Sequence, residues 1–507
     1  MSISTSIKSI QDIMRTDHGV DGDAQRIGQL VWIFFLKIWD DRELELELVE
    51  ADFQSPLANV ELPDGGRSDL RWRAWGADPE GLTGDDLLDF VNNTLFPGLK
   101  DLTVGPKVTG TDPAAIAADR LRRRSLLIRD LFDDAIQYMK DGTLLRQVLN
   151  KVEGTIDFND SSSRHLFGDI YAQILRDLQG AGNAGEYYTP RAVTQFTVDM
   201  LNPRLGESIL DPACGTGGFL ACAIEHVRAQ DVQSPEDERG LHQSIHGIEK
   251  KPFPHLLCVT NMIVHGIDVP SRVRHDNTLS TPLRDLDDSD QVDVILTNPP
   301  FGGMEVQGIE TNFPSEFQTR ETADLFLVYI IERLKDGGRA AVVLPDGTLF
   351  GEGVKNRVKK HLMTECDLHT IVRLPKGVFA PYTSINTNVL FFEKGRPTEE
   401  VWYYEHPYPE GYKSYSKTKP MRIDEFDAEK AWWTSREENE HAWRVPMEQV
   451  VERDFNLDIK NPNAPEAQVF DPDEVLAAYH ASRDEAHAAA ESLSSALASA
   501  LREAAGQ

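Results

Sequence analysis

Cysteine is scarce in this chain. Cys214, Cys222, Cys258 and Cys366 are the four in 507 residues, and none forms a CxxC pair. That excludes a disulfide scaffold and a thiolate zinc site, so no metal is expected. Long hydrophobic runs are also lacking: the longest strongly apolar stretch, Val31 to Leu36, falls far short of the roughly 20 residues that span a bilayer. The opening residues MSISTSIKSI lack the apolar core and small-residue cleavage site of a secretory signal. The expectation is a reduced, cytoplasmic, metal-free protein with no membrane partner. Basic charge is short as well, with 52 Lys and Arg against 83 Asp and Glu and a formal charge of −31. A protein that grips DNA unaided gains affinity by replacing phosphate counterions with Lys and Arg. Either nucleic acid is not the substrate, or a basic partner supplies much of the grip.

What is present falls into three stretches. From Thr5 to about residue 160 the pattern is helical, and GQLVWIFFLKIWDD brings Leu30, Phe34 and Ile38 to one side of a helix. Trp72 and Trp75 fall in a polar stretch and are expected to make core or inter-domain contacts rather than to stack on bases. From about 166 to 395, short apolar strands alternate with helices, the mark of a parallel sheet with helical crossovers. Strands are expected at 208–210, 244–248, 272–274, 292–297, 339–344, 370–374 and 388–392. Residues 396 to about 470 show no clear period. A long alanine-rich helix follows, with Asp471 as N-cap, Pro472 at its first position and Glu474 at the capping-box spacing. Ala486, Ala490, Leu493, Leu497 and Leu501 form a narrow apolar stripe along it.

The chemistry-bearing residues follow strand ends. Asp211 closes the first strand of the α/β stretch and is followed by a turn in which Gly215 and Gly217 allow close backbone approach, with Gly218 opening a helix. The turn lacks both the GK[ST] ending of a P-loop and the GxGxxG spacing of a dinucleotide site, which suits a cofactor without a pyrophosphate. Glu249, at the next strand end, is placed to accept ribose hydroxyls, and the polar segment DVQSPEDERGLHQ before it reads as an inserted surface loop. The sharpest signal is Asn298-Pro299-Pro300-Phe301 directly after VDVILT. An adenine N6 amine is a poor nucleophile because its lone pair is delocalised into the ring. Two acceptors on its protons, the Asn298 amide oxygen and the Pro299 carbonyl, draw the nitrogen towards tetrahedral geometry and free that pair. The prolines stiffen the backbone and add no competing N–H, and Phe301 can stack on a base swung out of the duplex.

DPACGTGGFL, NPPFGG and AGEYYTPRAV together resemble the donor-binding and catalytic motifs of amino-methyltransferases, most closely the methylation subunit of type I restriction–modification enzymes. ADLFL, LPDGTLFG and RLPKGVFAPYTSINTNVLFFEKG resemble later blocks of that family, while Cys214 stands where other small residues are common. The resemblance implies an α/β, Rossmann-like, seven-stranded S-adenosylmethionine-dependent methyltransferase domain over 164–465. An N-terminal helical domain, 1–163, would clamp DNA, and a C-terminal helix, 466–507, would dock on a specificity subunit. It implies adenine-N6 methylation of a defined double-stranded DNA site, with S-adenosylmethionine as donor and a second methylation subunit as partner, and it leaves a restriction subunit open. Glu186, Tyr187, Tyr188, Thr189, Pro190, Arg191, Thr216, Gly217, Gly218, Glu249, Asp276 and Asn277 carry over as donor contacts. Two other readings stay open: methylation of another planar amine, such as RNA guanine N2 or a protein glutamine, and a non-enzymatic donor-binding scaffold.

Overall fold

Strands covered on both faces read as near-continuous apolar runs, and VDVILT, AAVVLP and TNVLFFEK are of that kind. In the computed structural model, which describes residues 3–50, 52–110, 112–154, 189–380, 383, 385–416, 419–464 and 472–505, these runs form one sheet. Its strands are β1 (Ile209–Asp211), β2 (Ile245–Glu249), β3 (Val273–His275), β4 (Val292–Thr297), β5 (Leu334–Pro345), β6 (Cys366–Leu374), β7 (Thr387–Lys394), β8 (Glu400–Glu405) and β9 (Ala442–Pro446). Their order is β9-β8-β6-β7-β5-β4-β1-β2-β3. The seven expected strands are all present. The sheet is nine-stranded rather than seven-stranded, because β8 and β9 come from the stretch that shows no period.

β7 runs antiparallel between β5 and β6, and β9 is antiparallel to β8; the other pairings are parallel. The chain leaves β1 towards β2 and β3, then returns to place β4 on the other side of β1, in register Ile209↔Val294 and Leu210↔Ile295. The strand order therefore reverses between β1 and β4. A crevice opens beyond the strand ends at such a reversal.

The N-terminal region is helical as expected, with α1 (Ile3–Arg15), α2 (Asp23–Val49), α3 (Pro113–Asp133) and α4 (Gly142–Glu153), plus a two-residue-per-strand hairpin at Val60–Glu61 and Arg67–Ser68. α2 departs from the one-sided expectation: Trp32, Ile33, Phe35, Leu36 and Trp39 are buried along with Leu30, Phe34 and Ile38. It is a central helix wrapped by its neighbours, so its apolar residues need not share a face. Its buried charges are partnered accordingly. Lys37 meets Asp41 at 2.7 Å, and Glu43 meets Arg124 of α3 at 3.0 Å while Arg124 lies 4.2 Å over the Trp39 ring. Trp72 and Trp75 are core residues, packed edge-to-face at 5.3 Å.

Residues Met1–Asn461 form one compact unit and Pro462–Gln507 a second. Within the first, Arg120 and Arg124 reach Asp268 in the turn after α7 (Pro252–Val264), tying the helical region to the sheet layer. α5 (Arg191–Leu201), α6 (Gly218–Asp231) and α7 flank the crevice. The second unit holds helix α9 (Pro472–Ala505), which begins at the expected proline and exposes Ala486, Ala490 and Leu493. Asp471, the expected cap, lies outside the described residues, as do the side chains of Leu497 and Leu501.

Candidate active site

The ends of β1 and β4 are joined by side chains. The Thr297 hydroxyl, last in β4, donates to Asp211 Oδ1 at 2.7 Å, and the Ala213 N–H donates to the same oxygen at 3.1 Å. Asp211 is 1% exposed. Burial drives its carboxyl up to about 7; the Thr297 and Ala213 hydrogen bonds oppose the rise, and the nearby Glu249 charge adds to it. Asp211 thus holds the glycine-rich turn to the strand that carries Asn298, a connection that the sequence motif alone does not reveal.

Beyond Asp211 the turn folds back on β2. The Cys214 N–H donates to the Ile248 carbonyl at 3.0 Å, and the Gly215 N–H donates to Glu249 Oε2 at 2.9 Å. Gly217 has φ +80 and caps α6; a Cβ there would lie 2.8 Å from Cys258 Sγ. Only glycine meets both demands. The Thr216 carbonyl accepts from Asn261 at 3.1 Å. The Glu249 carbonyl accepts from the Asp276 N–H at 3.0 Å, and its Oε1 accepts from the Lys251 N–H at 2.8 Å. Asn277 stays at the same edge, its side chain accepting from the Leu279 N–H at 3.2 Å. Asp211, Gly215, Thr216, Gly217, Gly218, Glu249, Asp276 and Asn277 therefore come together at the β1–β2–β3 end of the crevice. The inserted segment before Glu249 is a helix, Pro235–Ser244, rather than a loop: Ser234 caps it by accepting from the Asp237 N–H at 3.2 Å.

Across the crevice, Asn298 Nδ2 donates to the Thr189 hydroxyl at 2.8 Å. Its Oδ1 is buried with no hydrogen-bond partner among the described residues. A buried acceptor left open is uncommon and costly unless a ligand completes it. Thr189 leads into Pro190, whose carbonyl starts α5, and Arg191 pairs with Glu225 of α6 at 2.9 Å. Thr189, Pro190 and Arg191 thus border the Asn298 loop, while Glu186, Tyr187 and Tyr188 lie outside the described residues. Pro299 is buried and Pro300 half-buried. Phe301 is 4% exposed and meets the edge of Phe379 with ring centres 6.2 Å apart. The loop beyond is fixed to α8 (Thr322–Arg333) by the Thr322 N–H and hydroxyl, which donate to the Gly303 carbonyl at 3.1 and 2.8 Å.

Sequence reasoning missed Thr297, Phe379 and the pairing of Thr189 with Asn298. A threonine ending the apolar run VIL was the available signal for the first; the other two are contacts between distant segments. A cavity of about 600 Å³ lies elsewhere, at the opposite sheet edge, lined by Arg339, His369 and Trp433 among others. The chemistry-bearing residues are not in it. Among the described residues no group of three or more His, Cys, Asp or Glu could hold a metal ion, and no helix is long and apolar enough to cross a membrane.

The chain matches the N-6 DNA Methylase family over residues 162–469 and the HsdM N-terminal domain over 3–152. It is 60% identical over 96% of its length, and 95% of the relative's, to the Type I restriction enzyme EcoEI methylase subunit of Escherichia coli. Among solved structures it resembles the modification subunit of a putative type I restriction enzyme from Vibrio vulnificus YJ016, with TM-score 0.77, 43% identity and coverage of 92% of this chain and 98% of that one. A chain from work on complex assembly and conformational transition of the type I R-M system matches with TM-score 0.75, 35% identity and 98% coverage of both. These matches separate DNA from the RNA-guanine and protein-glutamine readings. The chain belongs to the N-6 DNA methylases, and within them to the adenine-methylating subunits of type I restriction–modification systems.

Proposed function

We propose that the crevice between β1 and β4 binds S-adenosylmethionine against the glycine-rich turn and presents a flipped adenine to Asn298. The observation that carries this reading is the Asn298 carboxamide, pinned through Nδ2 by Thr189 with Oδ1 unmet by any described residue. The donor-side residues fit such a molecule. Glu249 stands at a strand end with its carboxylate accepting from two backbone N–H groups, and a carboxylate so placed is an acceptor of the kind that vicinal hydroxyls require. Asp276 and Asn277 stand at the neighbouring strand end, where an adenine ring would lie. When bound, S-adenosylmethionine supplies an electrophilic methyl on a sulfonium.

The remaining work belongs to the chain. Asn298 Oδ1 and the Pro299 carbonyl accept hydrogen bonds from the two N6–H groups and orient the nitrogen lone pair towards the methyl, and the one proton shed after transfer passes to water, so catalysis is positioning and electrostatics. Thr189 keeps the carboxamide from turning its NH₂ towards the amine. Phe301 stacks on the extruded base with Phe379 supporting its ring; because Phe301 is nearly fully buried, the base enters as its neighbours move aside. Residues 1–163 clamp DNA and contact other subunits, 164–465 carry the reaction, and 466–507 dock on a specificity subunit that reads the DNA site. A second methylation subunit completes the assembly. The exposed Ala486, Ala490 and Leu493 of α9 support the docking part, since such a stripe is covered by another helix in close helix–helix packing.

The test is kinetic. Asn298→Ala should keep donor affinity by calorimetry and lower turnover by about a hundredfold or more, the usual cost of one preorganised hydrogen-bonding group. Thr189→Val should lower turnover with unchanged donor affinity, and Thr189→Ser should restore it. Normal turnover in Asn298→Ala would remove that residue from the reaction. Loss of donor affinity in Thr189→Val without loss of turnover would make Thr189 a donor contact instead.

A further inference from the structure

A flipped base stays covalently attached to its strand, so the phosphates flanking it must pass beside the catalytic loop. A chain at −31 needs a local cationic surface there, or the backbone is repelled where it must come closest. Residues 407–422, PYPEGYKSYSKTKPMR, hold Lys413, Lys417, Lys419 and Arg422 against the single acid Glu410, with Tyr408, Tyr412 and Tyr415 interleaved. This segment leaves the end of β8. Because β8 is parallel to β6, it emerges at the sheet edge that carries Asp211, Glu249 and Asn298.

Contacts fix where the segment lies. The Tyr408 hydroxyl donates to the Lys376 carbonyl at 3.0 Å, in the turn after β6. A Cβ on Gly377, which has φ +83, would come within 2.6 Å of Ser414 Oγ and the Tyr415 carbonyl, so the two backbones are in direct apposition. Two residues on, Phe379 meets Phe301. The basic segment is thus one packed turn away from the catalytic loop. Two acids that follow it are engaged: Glu425 accepts from the Tyr415 hydroxyl and Asp424 pairs with Arg422 at 2.7 Å. Lys376, Lys413 and Lys419 are exposed and form no ion pair with a described residue; Lys419 lies 5.1 Å over the Tyr412 ring. On the donor side of the crevice, by contrast, Lys250 is paired with Glu305 at 3.0 Å.

We propose that Lys376, Lys413 and Lys419 form the surface that holds the phosphate backbone of the DNA strand carrying the target adenine. The inference rests on the methylation of DNA adenine by the Asn298 site. Phosphate contacts position a strand without reading its sequence, which leaves site choice to other elements and fits a surface made of flexible lysines and tyrosine edges.

The experiment uses the complex purified from its native cell through a tag on this chain. DNA affinity is measured from low to moderate salt for wild type, for Lys376→Gln/Lys413→Gln/Lys419→Gln, and for a charge-matched control at the opposite sheet edge, Lys335→Gln/Arg396→Gln/Arg444→Gln. Each lost phosphate contact removes about 0.9 from the slope of log affinity against log salt, so the first variant should lose roughly 2 to 3 in slope. Its KM for DNA should rise at least about tenfold at moderate salt, with donor affinity and kcat at saturating DNA unchanged. The control should behave as wild type. A wild-type slope in the lysine variant, or an equal loss in the control, overturns the proposal. Methylation by wild type and Asn298→Ala, run in parallel, separates the two claims. If wild type methylates DNA and Asn298→Ala does not, a null result removes only this surface; if wild type does not methylate DNA, the underlying reading falls.

Discussion

Asp211 carries two jobs in one carboxyl, and both depend on its burial. It receives the Thr297 hydroxyl and the Ala213 N–H, so the turn expected to hold the donor and the strand that carries Asn298 move together. The burial that makes this joint rigid raises its carboxyl to about 7, well above the ~3.9 of an unfolded aspartate. A carboxyl with a higher pKa folded than unfolded favours folding while protonated, and that contribution is lost as pH climbs through the folded value. Wild type should therefore lose stability relative to Asp211→Asn as pH rises from about 4 to beyond 7, read as a growing difference in thermal midpoint. A difference that is flat, or that shrinks with rising pH, would show that Asp211 is ionised in the folded chain throughout. Asn298, Gly217 and Glu249 were legible in the sequence because strand-end chemistry and backbone demands are local. The Thr189–Asn298 bond spans more than a hundred residues, and nothing in either segment announces the other.

At the level of elements, periodicity placed the seven core strands closely because each is an apolar run bounded by turn residues. It missed β8 and β9 for a physical reason. EVWYYE mixes aromatics and acids, and its buried Tyr403 is satisfied by a stack on Trp443 of β9 with ring centres 5.2 Å apart and by a hydrogen bond to the Leu457 carbonyl at 3.0 Å. Those contacts are tertiary. The one-sided expectation for α2 failed likewise, because the helix is buried on all sides from Gln29 to Asp41 and has no polar face there to set a phase. Arg124 is the joint that this burial requires: 1% exposed, it pairs with the fully buried Glu43 and reaches Asp268 of the sheet layer. Removing one partner of a buried pair leaves an uncompensated charge, at a cost of about 3–5 kcal/mol. Arg124→Met should destabilise by that order in urea unfolding, while Arg124→Met combined with Glu43→Leu should recover much of the loss. A single variant within about 0.5 kcal/mol of wild type, the range of ordinary surface changes, would mean that the joint is not structural.

For the whole molecule, the charge balance and the fold point to a divided enzyme. The strand order reverses between β1 and β4, and the glycine-rich turn, the Glu249 carboxylate and the Asn298 loop all gather at that reversal. The acidity that argues against solitary DNA binding is answered in two ways in the proposals above: by a partner that would read the site, and by a local cationic surface beside the Asn298 loop. The N-terminal helices are tied to the sheet layer through Asp268, so a clamp built from them would move with the active site. The most direct measurement is methyl transfer from labelled S-adenosylmethionine, with the native complex offered duplex DNA, RNA and protein together, followed by digestion to nucleosides. The account predicts label in DNA alone, recovered as N6-methyladenine, and its loss in Asn298→Ala with donor binding retained. Label on cytosine, in RNA or in protein, or undiminished N6-methyladenine from Asn298→Ala, would contradict it.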